Sequence, residues 1–480
     1  MKQPLIEDEN LLARLDRMPM TRTIFGIIVL LSLVWLAEAF DIGIVGTVIT
    51  MLKHTWHLNA SQMGLLGISG TLGVVVGLIP AGFLADKIGR KRVILWGIIA
   101  FSVLTCLGAF VSNFPELLAV RFLAGIGGGA VLPMPYLFLS EFVHTERRAT
   151  MVGYANGILT AAYLVPNLVG AWAIHAFAAA ISWRIPFLLG GIPLIMSVPL
   201  AIWLPESPRF LLKRERRAEV RKLVEKLETQ AGLPHDQTLV NKRALAVIHK
   251  GVNDTPTLRS LLRAPYLKRG LITASQLTGA LVLFYILLVF GPTILVSRGI
   301  GTDNAILLTG LMMGVAGIGS IIQGYLSDHF GRRIVLTVYF LLAAIGCGIF
   351  GLFSSPAIVL LAGFLTSFFG LGVFPVSKLS VAEQYPTRLR GKGVYYNEWT
   401  ARVISGVLTI YFIPAMLSWW GNQVIFEGIA IALLVLALPI VLWGRETAHI
   451  SVEEAGTDLS FEAINSQVDL LERGTVNMTR

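Results

Sequence analysis

The sequence is poor in charged residues and in cysteine. Asp, Glu, Lys and Arg make up 14% of its 480 residues, against about 25% in soluble domains, whereas hydrophobic residues make up 55%. This composition excludes a soluble globular enzyme as the main body of the chain. The two cysteines, Cys106 and Cys347, lie inside apolar runs and offer neither a disulfide framework nor metal-ligand spacing. Phosphate-loop, His-Glu-x-x-His and Gly-x-Ser-x-Gly motifs are also absent, so the sequence gives no support for an enzyme.

Long apolar runs recur along the chain and match the ~30 Å hydrocarbon layer that a helix must cross. They predict an all-α membrane protein with twelve transmembrane helices. The spans are predicted at 23–50, 62–85, 93–112, 116–140, 150–175, 184–204, 270–296, 305–327, 334–353, 357–380, 394–417 and 422–444. The first span is too long for a cleavable signal peptide. The predicted domains are a tail (1–22), a six-helix bundle (23–204), a polar linker (205–269), a second six-helix bundle (270–444) and a tail (445–480).

The distribution of Lys and Arg predicts the orientation. An even number of spans places both termini on one side, and the loops of the opposite side carry only Lys53, Arg184 and Arg298. Because short cytoplasmic segments are enriched in Lys and Arg, both termini are predicted to be cytoplasmic. The net charge of +10 is then a topology signal, and no nucleic-acid partner is expected.

One polar turn occurs twice. The segment from Gly82 to Arg92 reads GFLADKIGRKR, and the segment from Gly324 to Arg333 reads GYLSDHFGRR. Gly, Asp and Gly-Arg stand at the same offsets in both copies, which predicts two similar six-helix halves around a central site. The second glycine of each copy permits a very tight turn, and Asp86 and Asp328 can meet Arg side chains or a helix N-terminus.

Further motifs accompany the repeated turns. They are RFLAGIGGG from Arg121, PESPR from Pro205, EQYPTRLRG from Glu383, RET from Arg445 and SVEE from Ser451. Over about residues 20–455 the chain resembles the major facilitator superfamily. The motif set is similar to the branch that holds sugar porters, organic-ion transporters, synaptic-vesicle-protein-2-like proteins and bacterial metabolite:proton symporters. The resemblance implies a transporter with two pseudo-symmetric halves.

Two local patterns bear on the substrate. Leu36 to Gly43, LAEAFDIG, resembles an element of aromatic-acid:proton symporters and nicotinate transporters, and RVISG from Arg402 resembles an Arg-containing element of organic-ion and nicotinate transporters. The sugar-porter pattern is matched at Gln276 and Gly279 but has Leu281 where Asn is usual. We therefore expect uptake of a small organic anion, an aromatic or heteroaromatic carboxylate such as nicotinate, with a sugar or polyol as the alternative.

Three charged residues inside the first and fourth spans form the predicted proton-coupling group: Glu38, Asp41 and Arg121. A charge in the middle of a bilayer is costly, so it needs a partner or a wet cavity. Arg121 can stabilise an ionised Asp41 until protonation separates the two; the alternative is a permanent structural ion pair. Glu38 lies three residues from Asp41 on the same helix face and is the other candidate proton carrier.

Arg402 is the principal candidate for the substrate site. Glu398 precedes it by four residues, so an internal ion pair and a fork for a substrate carboxylate are both open interpretations. Lys378 is expected near the inner end of its span, with its amine reaching toward water. The full set of predicted substrate-binding residues is Arg402, Glu398, Gln276, Tyr163, Tyr136, Asn156, Tyr395 and Trp399.

A last group of charges is predicted to form a cytoplasmic gate, since in the resembling branch such pairs close that side. The group is Asp86, Arg90, Asp328, Arg332, Glu141, Arg148, Glu206, Glu383 and Arg390. The alternative is a set of solvated surface charges that contribute little. No metal and no cofactor are expected, because the proton gradient supplies the driving force. The expected partners are a small-molecule substrate, protons and the lipid bilayer of a bacterial inner membrane, with the protein acting as a monomer.

Overall fold

The computed structural model describes residues 3–58, 60–142, 148–236, 261–291, 294–295 and 298–450. Within these ranges every regular element is a helix. The helices of the first half of the chain are α1 (Gln3–Asp16), α2 (Arg22–Thr55), α3 (Ala60–Ile88), α4 (Arg90–Leu107), α5 (Phe114–Val131), α6 (Met134–Phe142), α7 (Arg148–Ala162), α8 (Leu164–Ala176), α9 (Ala179–Ser182), α10 (Arg184–Leu189), α11 (Pro193–Trp203), α12 (Pro208–Lys213) and α13 (Arg217–Ala231).

The second half of the chain continues with seven α-helices and three π-helical segments. The α-helices are α14 (Tyr266–Tyr285), α15 (Thr302–Phe330), α16 (Arg332–Leu352), α17 (Pro356–Thr366), α18 (Phe374–Glu383), α19 (Thr387–Arg402) and α20 (Ile410–Trp443). The π-helical segments are Ile286–Phe290, Ser367–Leu371 and Val403–Thr409. Such turns are common at functional sites, and the first and last directly follow Tyr285 and Arg402.

Nine helical stretches of the described ranges are long and apolar enough to cross a membrane. They are Arg22–Gly46, Gly64–Ile88, Phe114–Leu139, Ala180–Trp203, Tyr266–Val289, Leu307–Phe330, Arg332–Leu352, Pro356–Glu383 and Trp419–Trp443. The predicted spans at 93–112, 150–175 and 394–417 are also largely helical but are not among the nine. Helix α4 begins with three consecutive basic residues, Arg90 to Arg92. The second stretch is divided between α7 and α8, and the third carries Glu398 and Arg402. The count of twelve stays a prediction.

Helices of the first bundle approach one another closely through glycine. A Cβ atom on Gly73 of α3 would lie 2.0 Å from the carbonyl oxygen of Phe122 in α5, and one on Gly125 would lie 2.1 Å from the carbonyl oxygen of Gly70. Only glycine fits at such distances. Gly125, in the motif that begins at Arg121, therefore permits close packing of α3 and α5.

The two repeated turns have the same geometry. Gly89 and Gly331 adopt positive φ angles of 101° and 93°, which strain any residue with a side chain. A glutamate from a distant segment then caps the helix that follows. Glu206 accepts hydrogen bonds from the backbone amides of Arg90 and Lys91, and Glu446 does the same for Arg332 and Arg333. We call the side of the molecule that carries both turns the turn face.

The N-terminal segment, predicted only as a tail, contains helix α1, which packs on linker helix α13. The guanidinium of Arg14 forms an ion pair with the buried carboxylate of Glu228, and Arg217 forms one with Asp8. Burial raises the pKa of Glu228, but hydrogen bonds from Arg14, His235 and Arg17 outweigh it and hold that pKa at about 2. Glu228 is therefore ionised at neutral pH and fixes the start of the chain to the linker.

Candidate functional site

Asp41 and Arg121 form an ion pair between α2 and α5. The carboxylate Oδ1 of Asp41 lies 2.7 Å from a terminal nitrogen of Arg121 and also accepts a hydrogen bond from the hydroxyl of Thr105 in α4. The second terminal nitrogen of Arg121 is 3.3 Å from the backbone oxygen of Asp41. A Cβ atom at Gly70 would come within 3.1 Å of that guanidinium, so the glycine leaves room for it. The predicted contact between these two residues is confirmed.

Glu38 belongs to a different environment although it lies one helical turn from Asp41. Its side chain is 6% exposed, and no hydrogen bond or ion pair joins it to another residue within the described ranges. The charged groups that act on Glu38 include Arg402, Lys378 and Glu398 of the second half of the chain, as well as Asp41. The structure therefore separates the two acids into a peripheral Asp41–Arg121 pair and a central group around Glu38.

The central group, which we call the ionic cluster, consists of Glu38, Lys378, Glu398 and Arg402. Glu398 bridges the two cations: one carboxylate oxygen lies 3.1 Å from the amine of Lys378, and the other lies 3.3 Å from Nε of Arg402. Arg402 also donates a hydrogen bond of 2.7 Å to the hydroxyl of Tyr285. All four charged side chains are buried. An internal carboxylate thus occupies the positions that an external carboxylate would need.

Aromatic side chains from both halves of the chain surround the ionic cluster. The amine of Lys378 lies 4.7 Å above the ring of Tyr136, a cation–π contact, and Trp35 packs on the same ring. Tyr163 stacks edge-on against Phe284, with 5.0 Å between ring centroids. These rings give the site flat apolar walls beside fixed positive charge.

The predicted polar residues Asn156 and Gln276 are already engaged in hydrogen bonds. Asn156 accepts a hydrogen bond from the hydroxyl of Tyr136 and donates to the hydroxyl of Ser320, 3.1 Å away. Gln276 donates to the hydroxyl of Ser380 and to the backbone oxygen of Ser377. Asn156 thereby links α7 of the first half to α15 of the second half, next to Tyr136. Gln276 connects α14 to α18.

Tyr395 and Trp399 lie on α19 with different surroundings. The hydroxyl of Tyr395 donates to the backbone oxygen of Ala130, 3.0 Å away, and its ring faces Gly82, where a Cβ atom would come within 3.1 Å. Tyr395 thus contacts the first half of the chain near the repeated turn. Trp399, one turn further along, is half-buried against the hydrophobic core.

The predicted gate residues of the first half converge on the turn face. Arg90 lies 3.1 Å from the carboxylate of Glu141, and Ser207 donates a hydrogen bond to the same carboxylate. Asp86 lies beside α19, where a Cβ atom on Gly391 would be 3.4 Å from its carboxylate. The side chain of Arg148 lies outside the described residues.

The second copy repeats the pairing of Arg with Glu, and its Asp also forms an ion pair, which Asp86 does not form among the described residues. Arg332 lies 3.0 Å from Asp328 and 3.5 Å from Glu383, and Thr447 donates a hydrogen bond to Glu383 as Ser207 does to Glu141. Asp328 also accepts hydrogen bonds from the backbone amides of Ala149 and Thr150. It therefore caps α7 of the other half of the chain and joins the two halves across the turn face.

The remaining gate candidate is Arg390, whose Nε donates to the backbone oxygen of Ala382, 3.1 Å away. This contact fixes the start of α19 to α18. Among the described residues, no group of three or more His, Cys, Asp or Glu side chains is arranged to hold a metal ion.

Comparison with known proteins identifies the family. Residues 27–459 match the family model described as sugar (and other) transporter. The chain belongs to this family of the major facilitator superfamily. It is therefore a membrane transporter of small molecules, not an enzyme.

Its curated relatives include transporters of aromatic acids. The niacin transporter NiaP of Acinetobacter baylyi is 28% identical over 447 residues, which cover 93% of this chain and all of the relative. The 4-hydroxybenzoate transporter PcaK of Pseudomonas putida is 25% identical over 452 residues, which cover 86% of this chain and 95% of the relative. The inner membrane metabolite transport protein YdjE of Escherichia coli is 29% identical and covers 92% of this chain and 97% of the relative.

The fold of this transporter is that of a solved sugar symporter. The proton:xylose symporter XylE bound to 6-bromo-6-deoxy-D-glucose superposes with a TM-score of 0.78 at 19% identity, over 90% of this chain and 98% of XylE. At this identity the likeness supports the major facilitator fold alone.

Sequence reasoning misjudged one member of the site and missed two. Lys378, expected to reach toward water, is only 7% exposed and pairs with Glu398, so that expectation is wrong. Tyr285 and Thr105, which contact Arg402 and Asp41, were not singled out. The position of Lys378 inside an apolar span was the signal for its role, because a buried charge needs a partner. A hydroxyl in an apolar helix gives no comparable signal.

Proposed function

We propose that this transporter couples the inward movement of protons to uptake of a small organic anion, an aromatic or heteroaromatic carboxylate such as nicotinate. The observation that carries the proposal is the bridging of Lys378 and Arg402 by one carboxylate, that of Glu398. Two buried cations beside aromatic walls match a ligand with one carboxylate and one flat ring. The names of two relatives, a niacin and a 4-hydroxybenzoate transporter, support the same class of substrate.

Binding in this site is an exchange of anionic partners. A substrate carboxylate takes one of the cations from Glu398, so neither Lys378 nor Arg402 is left as an unpaired buried charge. Glu38 decides the charge balance. When Glu38 is protonated, the ionic cluster carries one net positive charge and accepts an anion; when Glu38 is ionised, the cluster is neutral and the anion is disfavoured.

Asp41 and Arg121 supply the coupling to the proton gradient, with no cofactor. An ionised Asp41 holds α2 to α5 through Arg121 and to α4 through Thr105. Protonation removes the charge that holds this pair, which releases the helices for a change of state. Transport proceeds by alternating access between two six-helix bundles, residues 23–204 and 270–444 of a twelve-helix protein. Both termini lie in the cytoplasm, and a monomer in the inner membrane is sufficient.

A sugar or polyol is the second candidate. The likeness to XylE in fold is the observation in its favour. The ionic cluster argues against it, because a neutral sugar cannot replace the carboxylate of Glu398 between two cations without leaving charge unpaired.

Uptake by purified protein in proteoliposomes tests the proposal. With a pH gradient, acidic outside, we expect radiolabelled nicotinate or 4-hydroxybenzoate to accumulate above the external concentration, and a proton ionophore to abolish the accumulation. Nicotinamide, which has the same ring without the carboxylate, is the matched control and is expected to compete poorly. Accumulation of xylose with no effect of the acids would reject the organic-anion proposal.

We propose that the turn-face ion pairs form the cytoplasmic gate, and Asp328 offers the sharpest test. Asp328→Asn weakens the cap on α7 and the pair with Arg332, which together join the two halves. Charge-assisted hydrogen bonds contribute about 1.5–3 kcal/mol each, so we expect at least a roughly tenfold shift toward a state open on the turn face. Labelling of a cysteine introduced on the side of the gate that faces the centre of the membrane measures this shift.

Asp8→Asn is the matched control for the gate, because it removes a similar carboxylate from the ion pair with Arg217, which joins α1 to α13 and not the two halves of the chain. Asp86→Asn is expected to act in the same direction as Asp328→Asn. Unchanged labelling in both turn variants would leave the turns with a purely topological role.

A further inference from the structure

A basic pocket of about 750 Å³ lies on the turn face at the start of α4, next to the linker helices α12 and α13. Its volume is in the range of small-ligand sites. Basic, acidic and apolar side chains line it: Lys87, Lys91, Arg92, Arg214, Arg216, Glu206, Glu219, Ile88, Leu95, Ala201 and Phe210. Five positive charges face two negative ones, and the gate proposed above does not use this excess.

Both acids of the pocket already have partners. Glu206 accepts the backbone amides of Arg90 and Lys91, at 3.0 and 3.1 Å. Glu219 pairs with Arg216 three residues before it. The side chains of Lys87 and Arg92 are exposed and make no hydrogen bond or ion pair to another residue in the described part of the chain. The pocket therefore keeps positive charge available to an anion.

Lys91 and Arg214 are held in place by hydrogen bonds, and each keeps further hydrogen-bond donors for a ligand. The amine of Lys91 donates to the backbone oxygen of Ala201, 2.7 Å away, and Arg214 donates to the backbone oxygen of Lys87. The Arg214 guanidinium also lies 5.6 Å from the ring centroid of Phe210. Lys has three donors and Arg has five, so each can also bind a phosphate oxygen.

The apolar part of the pocket continues onto the outer surface of the bundle. Leu95 and Ala201 line the pocket, and their chain neighbours Trp96, Ile202 and Trp203 are 63%, 67% and 70% exposed. Exposed apolar side chains of this size beside a membrane span face lipid. A ligand here meets positive charge at one end and the acyl region of the bilayer at the other.

The second repeated turn supplies an internal comparison. Glu446 caps it as Glu206 caps the first, and Arg333 donates to a backbone oxygen as Lys91 does. His329 and Ile334, however, stand at the positions of Lys87 and Arg92. The turn does not itself require a cation at either position, so the charge of the first copy needs another explanation.

We propose that the pocket binds the phosphate headgroup of an anionic phospholipid from the leaflet on the turn face, with Lys87 and Arg92 as its principal ligands. Basic pockets at this level of a membrane protein suit such headgroups. Because its lining comes from α3, α4 and α11 of the first bundle and from the linker helices α12 and α13, a bound lipid holds the linker helices against the first bundle. This site is independent of the ionic cluster and of the transported substrate.

Titration of the purified full-length protein with short-chain phosphatidylglycerol tests the site, with bound lipid counted by native mass spectrometry. We expect saturable binding that the double variant Lys87→Gln/Arg92→Gln weakens about 30-fold, because each basic residue contributes about a factor of five to the affinity. The matched control is Lys222→Gln/Lys226→Gln, which removes two exposed positive charges of α13 that do not line the pocket. Circular dichroism verifies that both variants are folded.

Four outcomes would overturn the proposal. Equal weakening in both double variants would mean that net charge alone attracts the lipid. Equal binding of phosphatidylcholine would remove the requirement for an anionic headgroup. Competition by inorganic phosphate or glycerol phosphate at the same concentrations as the lipid would identify a site for free phosphate instead. Absence of saturable phosphatidylglycerol binding to the wild type would reject both sources.

Discussion

Asp41→Asn is expected to abolish uphill, pH-driven accumulation of substrate while substrate exchange across the membrane survives. The amide keeps the shape of the carboxylate but cannot ionise, so it neither holds Arg121 by charge at 2.7 Å nor releases it on protonation. The accumulation ratio in proteoliposomes should fall to about 1, the value for a carrier without coupling. Counterflow, which needs binding and the change of state but no net proton movement, measures the function that remains.

Glu38→Gln is the matched comparison, since it neutralises the neighbouring acid on the same helix. Gln imitates a protonated Glu38 beside Lys378 and Arg402, so anion binding should persist and lose its dependence on pH. Accumulation should be reduced but not abolished, because the Asp41–Arg121 pair is intact. Wild-type pH dependence in Asp41→Asn, together with loss of all coupling in Glu38→Gln, would move the principal proton site to Glu38.

The repeated turns were predictable from the sequence for a physical reason. A turn that needs positive φ leaves glycine as the unstrained residue, and Gly89 and Gly331 stand at that point in both copies. Arg90, Asp328 and Arg332 have few favourable partners in an apolar protein, so their involvement in ion pairs across helices follows from the cost of isolated charge. Asp86 does not follow this rule, since it forms no ion pair among the described residues. The pairing of Glu398 with Arg402 was open to prediction in the same way, because residues four apart meet on a helix.

The partners contributed by distant helices were not predictable. Position along a span gives the depth of Lys378 but not the direction of its side chain, and the π-helical segment Ser367–Leu371 precedes its helix and alters that direction. Tyr285 likewise meets Arg402 only because α14 packs against α19 and the π-helical segment that follows it. The role of helix α1 was missed because its ion-pair partner, Glu228, belongs to the linker and lies 214 positions from Arg14 in the sequence.

The α1 contact crosses two of the predicted domain boundaries. A tail and a linker that are separate in sequence form one assembly on the turn face, with Arg14 and Arg17 both paired to Glu228. The first bundle therefore carries part of the linker with it. This places the basic pocket, whose lining joins the first bundle to α12 and α13, on the same unit.

Arg402→Ala is expected to weaken binding of the carboxylate substrate at least about 30-fold, equivalent to about 2–5 kcal/mol. The variant removes the fork that pairs with a carboxylate, and it also leaves Glu398 with Lys378 as its one remaining basic partner in the ionic cluster. Arg402→Lys should recover little, because a single amine cannot reproduce two parallel hydrogen bonds. Lys378→Gln should also weaken binding, since the substrate and Glu398 then compete for one cation. Ligand-induced thermal stabilisation in detergent measures each affinity without a transport assay.

Glu398→Gln separates a substrate site from a merely structural ion pair. If a substrate carboxylate replaces Glu398, the amide removes its competitor, so the acid should bind more tightly and be released more slowly, with lower maximal uptake. The empty protein should be less stable, because Lys378 and Arg402 lose their shared anion, yet the substrate should stabilise it by more than it stabilises the wild type. A structural pair predicts the reverse: Glu398→Gln and Arg402→Ala would both destabilise the protein, and neither would change the shift that the acid produces. In that case nicotinamide or a sugar would bind as well as the acid, and the neutral-substrate alternative would take precedence.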